Sequence, residues 1–225
     1  MSGDLSGDLA RQISTAVRQA AEIGTGAAIA TAIHAIRPDD LEEFFHASLA
    51  AGVDATPLTV GLPASPGAAG GRIAMTADEA MEAGDRGEDV ILVRPETTPD
   101  DVLGMQASKG ILTARGGMVS HAAVVARGWG IPAVVGAAEL HIDGGVARLG
   151  DVELRSGDEI TIDGSTGNVY LGRLATSGTE APAELDTLLQ WADIVAAGHV
   201  QVRANADTEG DASQGRILGA QGIGL

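Results

Sequence analysis

Ser120 and His121 run directly into Ala122-Ala123-Val124-Val125-Ala126, and the glycine pair Gly116-Gly117 stands just ahead of them. A helix built on this run is apolar on every side, so it has to be buried inside a domain. Its beginning has a different character. Two glycines can take backbone angles closed to other residues, which lets successive N–H groups point into one concavity, and Ser120 is a good N-cap. His121 then falls in the first helical turn, beside amides without intrahelical partners and at the positive end of the helix dipole. That combination suits a phosphoryl group. Imidazole also has a neutral fraction near neutral pH, which leaves a nitrogen lone pair to attack phosphorus. His121 is therefore the candidate phosphoryl carrier, with Gly116, Gly117 and Ser120 supporting the phosphate. Arg115 and Arg127 could screen its charge, and they read equally well as ordinary surface arginines. No carboxylate partner for the histidine can be named from the residues.

The rest of the chain frames this stretch. Leu9, Ile13, Val17, Ala20 and Ala21, then Ile29, Ile33 and Ile36 after Gly24 and Gly26, predict two short helices. Pro38-Asp39-Asp40 opens another, with Leu41, Phe44, Phe45 and Leu49 apolar. His34 and His46 fall among these helical residues and read as surface or packing groups. Between Ala51 and Pro66 the residues Gly52, Pro57, Gly61, Pro63 and Pro66 punctuate the chain too densely for a helix or a central strand, which predicts a linker and a domain boundary.

After that boundary the periodicity changes. Strands are predicted at Gly71 to Thr76, Asp89 to Arg94, Lys109 to Ala114 and Ile131 to Val135, with short helices at Ala77 to Gly84 and from Pro99. From Gly145 to Leu171 the pattern is all strand, with turns at Ser156-Gly157-Asp158 and Asp163 to Gly167. Mixed β/α units followed by hairpins imply a compact layered α/β domain. Thr176 to Pro182 reads as a second linker. A helix from Glu184 to Ala197, a strand from His199 to Ala204, a helix from Glu209 to Leu218 and a strand from Gln221 to Leu225 then form a β/α alternation, which breaks off at its second strand.

Composition narrows the function classes. The formal net charge is −17, from 14 basic and 31 acidic residues, and no Lys/Arg run is visible. That disfavours a sequence-independent grip on nucleic acid or an anionic membrane. Hydrophobic residues make up 44% but aromatics only 2%, so Ala, Val, Leu and Ile must do the packing. With no cysteine there is no disulfide, thiolate metal site or thiol nucleophile. No metal site is read from the sequence. Met1-Ser2-Gly3-Asp4 lacks the features of a signal peptide, and no run of roughly 18 apolar residues occurs, so the cytoplasm is the expected location.

The run from Gly110 to Gly128, ILTARGGMVSHAAVVAR between its two end glycines, resembles the phosphohistidine motif of the pyruvate phosphate dikinase family, among the phosphoenolpyruvate-utilising enzymes. Gly61 to Ala69 resembles the entry to that family's swivelling domain. Val202 to Thr208 and Gly219 to Leu225 resemble the opening of its phosphoenolpyruvate-binding barrel. The resemblance implies an α/β fold: a swivelling β/β/α phosphohistidine domain at 61–173, with a helical segment at 1–52 that ends the nucleotide-binding region. Linkers at 53–60 and 174–184 flank the domain, and 185–225 is the truncated start of a (β/α)8 barrel.

The resemblance also implies a reaction. A nucleotide-binding domain passes a phosphoryl group from ATP, with inorganic phosphate and through a pyrophosphoryl intermediate, to the histidine matched by His121. The central domain then swings to the barrel, where pyruvate becomes phosphoenolpyruvate in a reversible transfer, and Arg203 matches an arginine of that pocket. Mg2+ is implied as cofactor and ATP as substrate. The metal-binding carboxylates, the family's cysteine general acid and most of the ATP-binding domain fall outside this chain. Partners are the ATP-binding and pyruvate-binding domains, in one longer chain or separate, with small-molecule substrates, and a homodimer is open. Val119 stands where members commonly carry a regulatory threonine, so that control is absent or moved to Ser120. The alternatives are a phosphoenolpyruvate synthase-type carrier, which Met118 and Gly67-Ala68-Ala69 disfavour, and a non-catalytic interaction module of the same fold.

Overall fold

The computed structural model describes residues 5–50, 52–178, 181–206, 208–217 and 219–224. Asp207, Leu218 and Leu225, which carry parts of the motifs read above, lie outside these residues, as do residues 1–4. Two compact units emerge: Glu42–Glu180 in one, and Gly7–Leu41 with Ala181–Leu225 in the other. The smaller begins with α1 (Leu5–Ile23) and α2 (Gly26–His34), the two helices expected from the apolar stripe. Leu9, Ile13, Val17 and Ala20 are the buried face of α1, and Thr25 caps α2 by accepting the Ala28 amide. A 3-10 turn, Pro38–Phe44, replaces the longer helix expected from Pro38. It stops there because Ser48 and Leu49 pair with a later strand.

That pairing belongs to the larger unit. In chain order it contains β1 (Ser48–Leu49), β2 (Thr59–Val60), β3 (Leu62–Ser65), β4 (Ala68–Ala74), α3 (Ala77–Asp85) and β5 (Val90–Arg94). A 3-10 turn, Pro99–Asp101, leads into α4 (Val102–Ala107), followed by β6 (Gly110–Thr113), α5 (His121–Trp129) and β7 (Ala133–Val135). The hairpin region supplies β8 (Leu140–Asp143), β9 (Val146–Leu149), β10 (Val152–Arg155), β11 (Glu159–Asp163), β12 (Asn168–Leu171) and β13 (Thr176–Ser177). The proline-punctuated stretch after residue 57 thus yields two strands. Pro63 is tolerated because β3 lies at an edge, paired only with β7 and with a register shift at Pro63 to Ser65.

An eight-stranded sheet runs in the order β2-β12-β11-β4-β5-β6-β7-β3. Its central strands β4 to β7 are parallel and the others antiparallel. Strand residues alternate between its faces. Ile73, Ile91, Val93, Leu112 and Val134 pack with Leu140, Leu149 and Leu154 of the antiparallel sheet β10-β9-β8. Ala74, Val90, Leu92, Ile111, Ala133 and Val135 pack under Ala80 and Ala83 of α3, Met105 of α4, and Ala122, Ala123 and Ala126 of α5. The layers are therefore β/β/α, and both faces of the parallel strands are covered, which is why Val90 to Val93 read as a continuous apolar run.

The smaller unit continues with α6 (Glu184–Ala196), β14 (Arg203–Asn205), α7 (Glu209–Ile217) and β15 (Gly222–Gly224). β14 and β15 pair in parallel, Arg203 opposite Gly222, with α7 as the crossover. Among the described residues no helix is long and apolar enough to cross a membrane.

Candidate functional site

Strands β5 and β6 are parallel neighbours with Arg94 opposite Thr113, so the loops that leave their C-terminal ends lie side by side. Backbone hydrogen bonds continue the pairing past the strands: the Ala114 amide donates to Arg94 O (3.1 Å) and the Arg115 amide to Pro95 O (2.8 Å). The second loop carries the glycine pair. Gly116 has φ +122°, and a Cβ there would lie 3.0 Å from Ser120 Oγ, so glycine is required. Gly136, which sequence reading passed over, presses on the same loop: at φ +63°, a Cβ on it would sit 2.6 Å from Gly116 O. The only sequence sign was a glycine just past the end of β7.

One expectation for this loop changes. Gly117 has no positive φ and open space around it, so it does not use glycine's conformational freedom. The Ser120 amide donates to Gly117 O at 2.9 Å and closes a turn. Ser120 does cap the helix, with extended backbone and its hydroxyl accepting from the Ala123 amide at 3.4 Å.

His121 is the first residue of α5 and is half-buried. The helix buries Ala122, Ala123 and Ala126 against the sheet, but Val124 is 54% exposed. The expectation of burial on all sides is thus corrected: one side of the helix meets the sheet, through Ala122, Ala123 and Ala126 with Val125 partly buried beside them. Met118 and Val119 beside the histidine are also exposed, Val119 at 89%.

The imidazole has one partner that sequence reasoning missed. Thr97 Oγ1 lies 3.1 Å from His121 Nδ1, and Thr97 is only 8% exposed. The contact joins the loop after β5 to the helix after β6, across 24 positions of sequence. No local pattern marks Thr97; the nearest signal was Pro99-Asp100-Asp101, read only as a helix start.

The other predicted residues separate. Arg115 ion-pairs with Glu96 at 3.1 Å, and with its amide on Pro95 it ties the two loops together. Arg127 donates to Ala64 O (3.1 Å) and Met118 O (2.6 Å), bracing α5 and the glycine loop against β3. Arg203 lies in the other unit, on β14, where it is exposed and donates to Gln201 Oε1 at 3.3 Å. Among the described residues no group of three or more His, Asp or Glu is placed to hold a metal ion, so these residues do not fit a Mg2+ site.

The site is thus a half-buried histidine at a helix start, at the C-terminal ends of the parallel strands of a β/β/α-layered domain. Residues 86–167 match the family model described as PEP-utilising enzyme, mobile domain. Most of the chain is similar to part of the pyruvate, phosphate dikinases. It is 46% identical over 199 residues to pyruvate, phosphate dikinase 1, chloroplastic, of Arabidopsis thaliana, covering 87% of this chain and 20% of that protein. It is 46% identical over 196 residues to pyruvate, phosphate dikinase of Rhizobium meliloti, covering 86% and 22%. To the Clostridium symbiosum enzyme it is 49% identical over 166 residues, covering 73% and 19%. The chain thus spans about a fifth of the length of these curated relatives.

Proposed function

We propose that this chain is the phosphoryl-carrier part of a pyruvate phosphate dikinase, with His121 taking a phosphoryl group derived from ATP and inorganic phosphate and passing it to pyruvate. The observation that carries the assignment is the place of His121, first residue of α5 within the segment similar to the PEP-utilising mobile domain, with Thr97 Oγ1 against its ring. A hydrogen bond at one imidazole nitrogen sets the role of the other. Thr97 Oγ1 can donate to Nδ1 or accept from it; in the tautomer whose Nδ1–H donates to Thr97, the lone pair sits on Nε2, which has no protein partner among the described residues. Nε2 forms the P–N bond as the bond from phosphorus to the donor's bridging oxygen breaks, and the electron pair leaves on that oxygen. Nδ1 keeps its proton, so the positive charge that builds on the ring faces the Thr97 oxygen. In transfer to pyruvate the P–N bond breaks with its electron pair returning to Nε2, and the new P–O bond forms to the enolate oxygen that results when a base outside this chain takes a proton from the pyruvate methyl carbon. Phosphoryl transfer of this kind is mostly positioning, and the layered sheet holds the ring in place.

Gly116 and Ser120 shape the helix start that receives the phosphate, and Gly117 lines it. Arg115 and Arg127 fix the loops around the ring. The segments that enter and leave the domain pair as β1 and β13, Ser48 with Ser177 and Leu49 with Thr176. These short connections suit a swivel, because hinges absorb their change in a few loop positions. The β14–α7–β15 unit suits the opening of a pyruvate-binding barrel, with Arg203 at its first strand. ATP and Mg2+ would be held by the nucleotide-binding and barrel parts.

The test supplies the nucleotide-binding part with ATP and phosphate. Acid-labile, base-stable label should appear on this chain, and His121→Ala should abolish it; label that survives the substitution overturns the assignment. Labelling that proceeds with inorganic phosphate rigorously removed would favour a synthase.

A further inference from the structure

We infer that Asp101 is a positioning residue for His121, acting through the loop that presents Thr97; the inference rests on the carrier reading above. Asp101 touches neither the imidazole nor the glycine loop in any contact the structure shows. Its carboxylate is nevertheless only 4% exposed, a costly place for a charge unless it is paired. Its Oδ2 accepts from the Thr98 amide at 2.9 Å and from Thr98 Oγ1 at 3.2 Å. Its Oδ1 lies 3.2 Å from Arg94 Nε in an ion pair that is off the hydrogen-bonding axis. Arg94 in turn donates through Nη1 to Met75 O at 2.9 Å, at the end of β4.

These contacts lock the two ends of one short loop. Arg94 is the last residue of β5 and Asp101 the last of the 3-10 turn, so their pair spans the Pro95 to Thr98 connection. From the other side, Arg115 holds Pro95 O with its amide and Glu96 with its guanidinium. Thr97 stands between these anchors, one residue from the amide that Asp101 grips. The bonds of Asp101 to Thr98 complete a capping box at the start of the 3-10 turn, a motif that a solvent-exposed carboxylate serves as well. A buried ion pair adds little net stability over an apolar replacement, so its place here fits the fixing of a geometry. That geometry is the 3.1 Å approach of Thr97 Oγ1 to Nδ1, which holds the ring and, where Nδ1–H is the donor, leaves the lone pair on Nε2.

The experiment compares the whole chain with its Asp101→Asn and Asp101→Glu variants. Ring-nitrogen shifts of 15N-labelled histidine report the His121 tautomer, the rate of phosphoryl labelling reports transfer, and thermal unfolding reports stability. Asp101→Asn should shift His121 toward the Nε2–H tautomer and slow labelling by roughly 10- to 100-fold, the order expected for a displaced reacting group, and Asp101→Glu should restore part of both. Ser108→Ala removes a buried hydrogen bond to Gly104 O within α4 without touching the loop. It should lower the unfolding temperature and leave the tautomer alone. If Asp101→Asn does not fold, Thr98→Val, which keeps the Arg94 pair, should shift the tautomer in the same direction by less. A folded variant with an unchanged tautomer and rate, or an equal shift in Ser108→Ala, overturns the inference. A wild-type chain that takes no label on His121 overturns the carrier reading instead, and the tautomer measurement still judges Asp101.

Discussion

The two units of this chain bury their residues in different ways. In the larger one, Val90, Ile91, Leu92 and Val93 are all buried, because one sheet is covered by helices on one face and by a second sheet on the other. In the smaller one, Ile13 is fully buried and Leu185 and Leu188 nearly so, yet α7 has no buried residue among those described, and Ile194 and Ile217 are 72% and 77% exposed. The difference shows where chemistry that depends on position can be built. A histidine at the edge of a doubly covered sheet has loops whose ends are fixed by strand register, whereas Arg203, on a two-stranded pair, has an exposed side chain and a neighbouring glutamine.

The comparison can be broken most readily in the larger unit. Leu112→Ala empties a fully buried position between the two sheets and should cost about 2–5 kcal/mol, read as a lower denaturant midpoint for the larger unit. Ile13→Ala should cost a similar amount in the smaller unit and leave the other unchanged. A shared transition lowered by both would show that the two units do not unfold separately. Thr97→Val should then act on the site with little change in stability, slowing labelling of His121 by about 100-fold, at least as much as Asp101→Asn, and shifting its ring tautomer.

The smallest effects belong to the smaller unit. Ile217→Ser, on an exposed position, should change stability by no more than about 0.5 kcal/mol. Glu184 gives that unit a sense of pH. Hydrogen bonds from Arg18 foremost, then from its own backbone amide and from Ser14, hold its carboxyl below the ordinary 4.5. A depressed value in the folded state contributes stability above the unfolded value, lost as pH falls through the folded one. Glu184→Gln should therefore flatten the acid limb of the smaller unit's unfolding curve below about pH 4.5, by a modest amount because Arg18 is exposed. An acid limb unchanged by the substitution would assign that sensitivity elsewhere.

Much of the larger unit is legible in one dimension. The apolar runs at β5 and β6, the turn residues between β9 and β12 and the N-cap at Ser120 announce themselves, since strand alternation, turn chemistry and capping act within a few residues. The site is legible only in part. His121 and Gly116 are visible, but Gly117 was credited with a freedom it does not use, and Val124 was expected inside and is outside. Both errors come from reading a segment without knowing which of its sides meets a neighbour.

The sequence by itself determined that a histidine stands at the mouth of a helix behind a glycine turn, within a layered α/β domain, because those features are encoded by adjacent residues. Only the tertiary structure decided what holds that histidine. Thr97 reaches it from another loop, Gly136 presses on its turn from beyond β7, and Asp101 fixes the loop from a buried position. These contacts depend on the parallel register of β5, β6 and β7, which brings together residues that no local pattern connects.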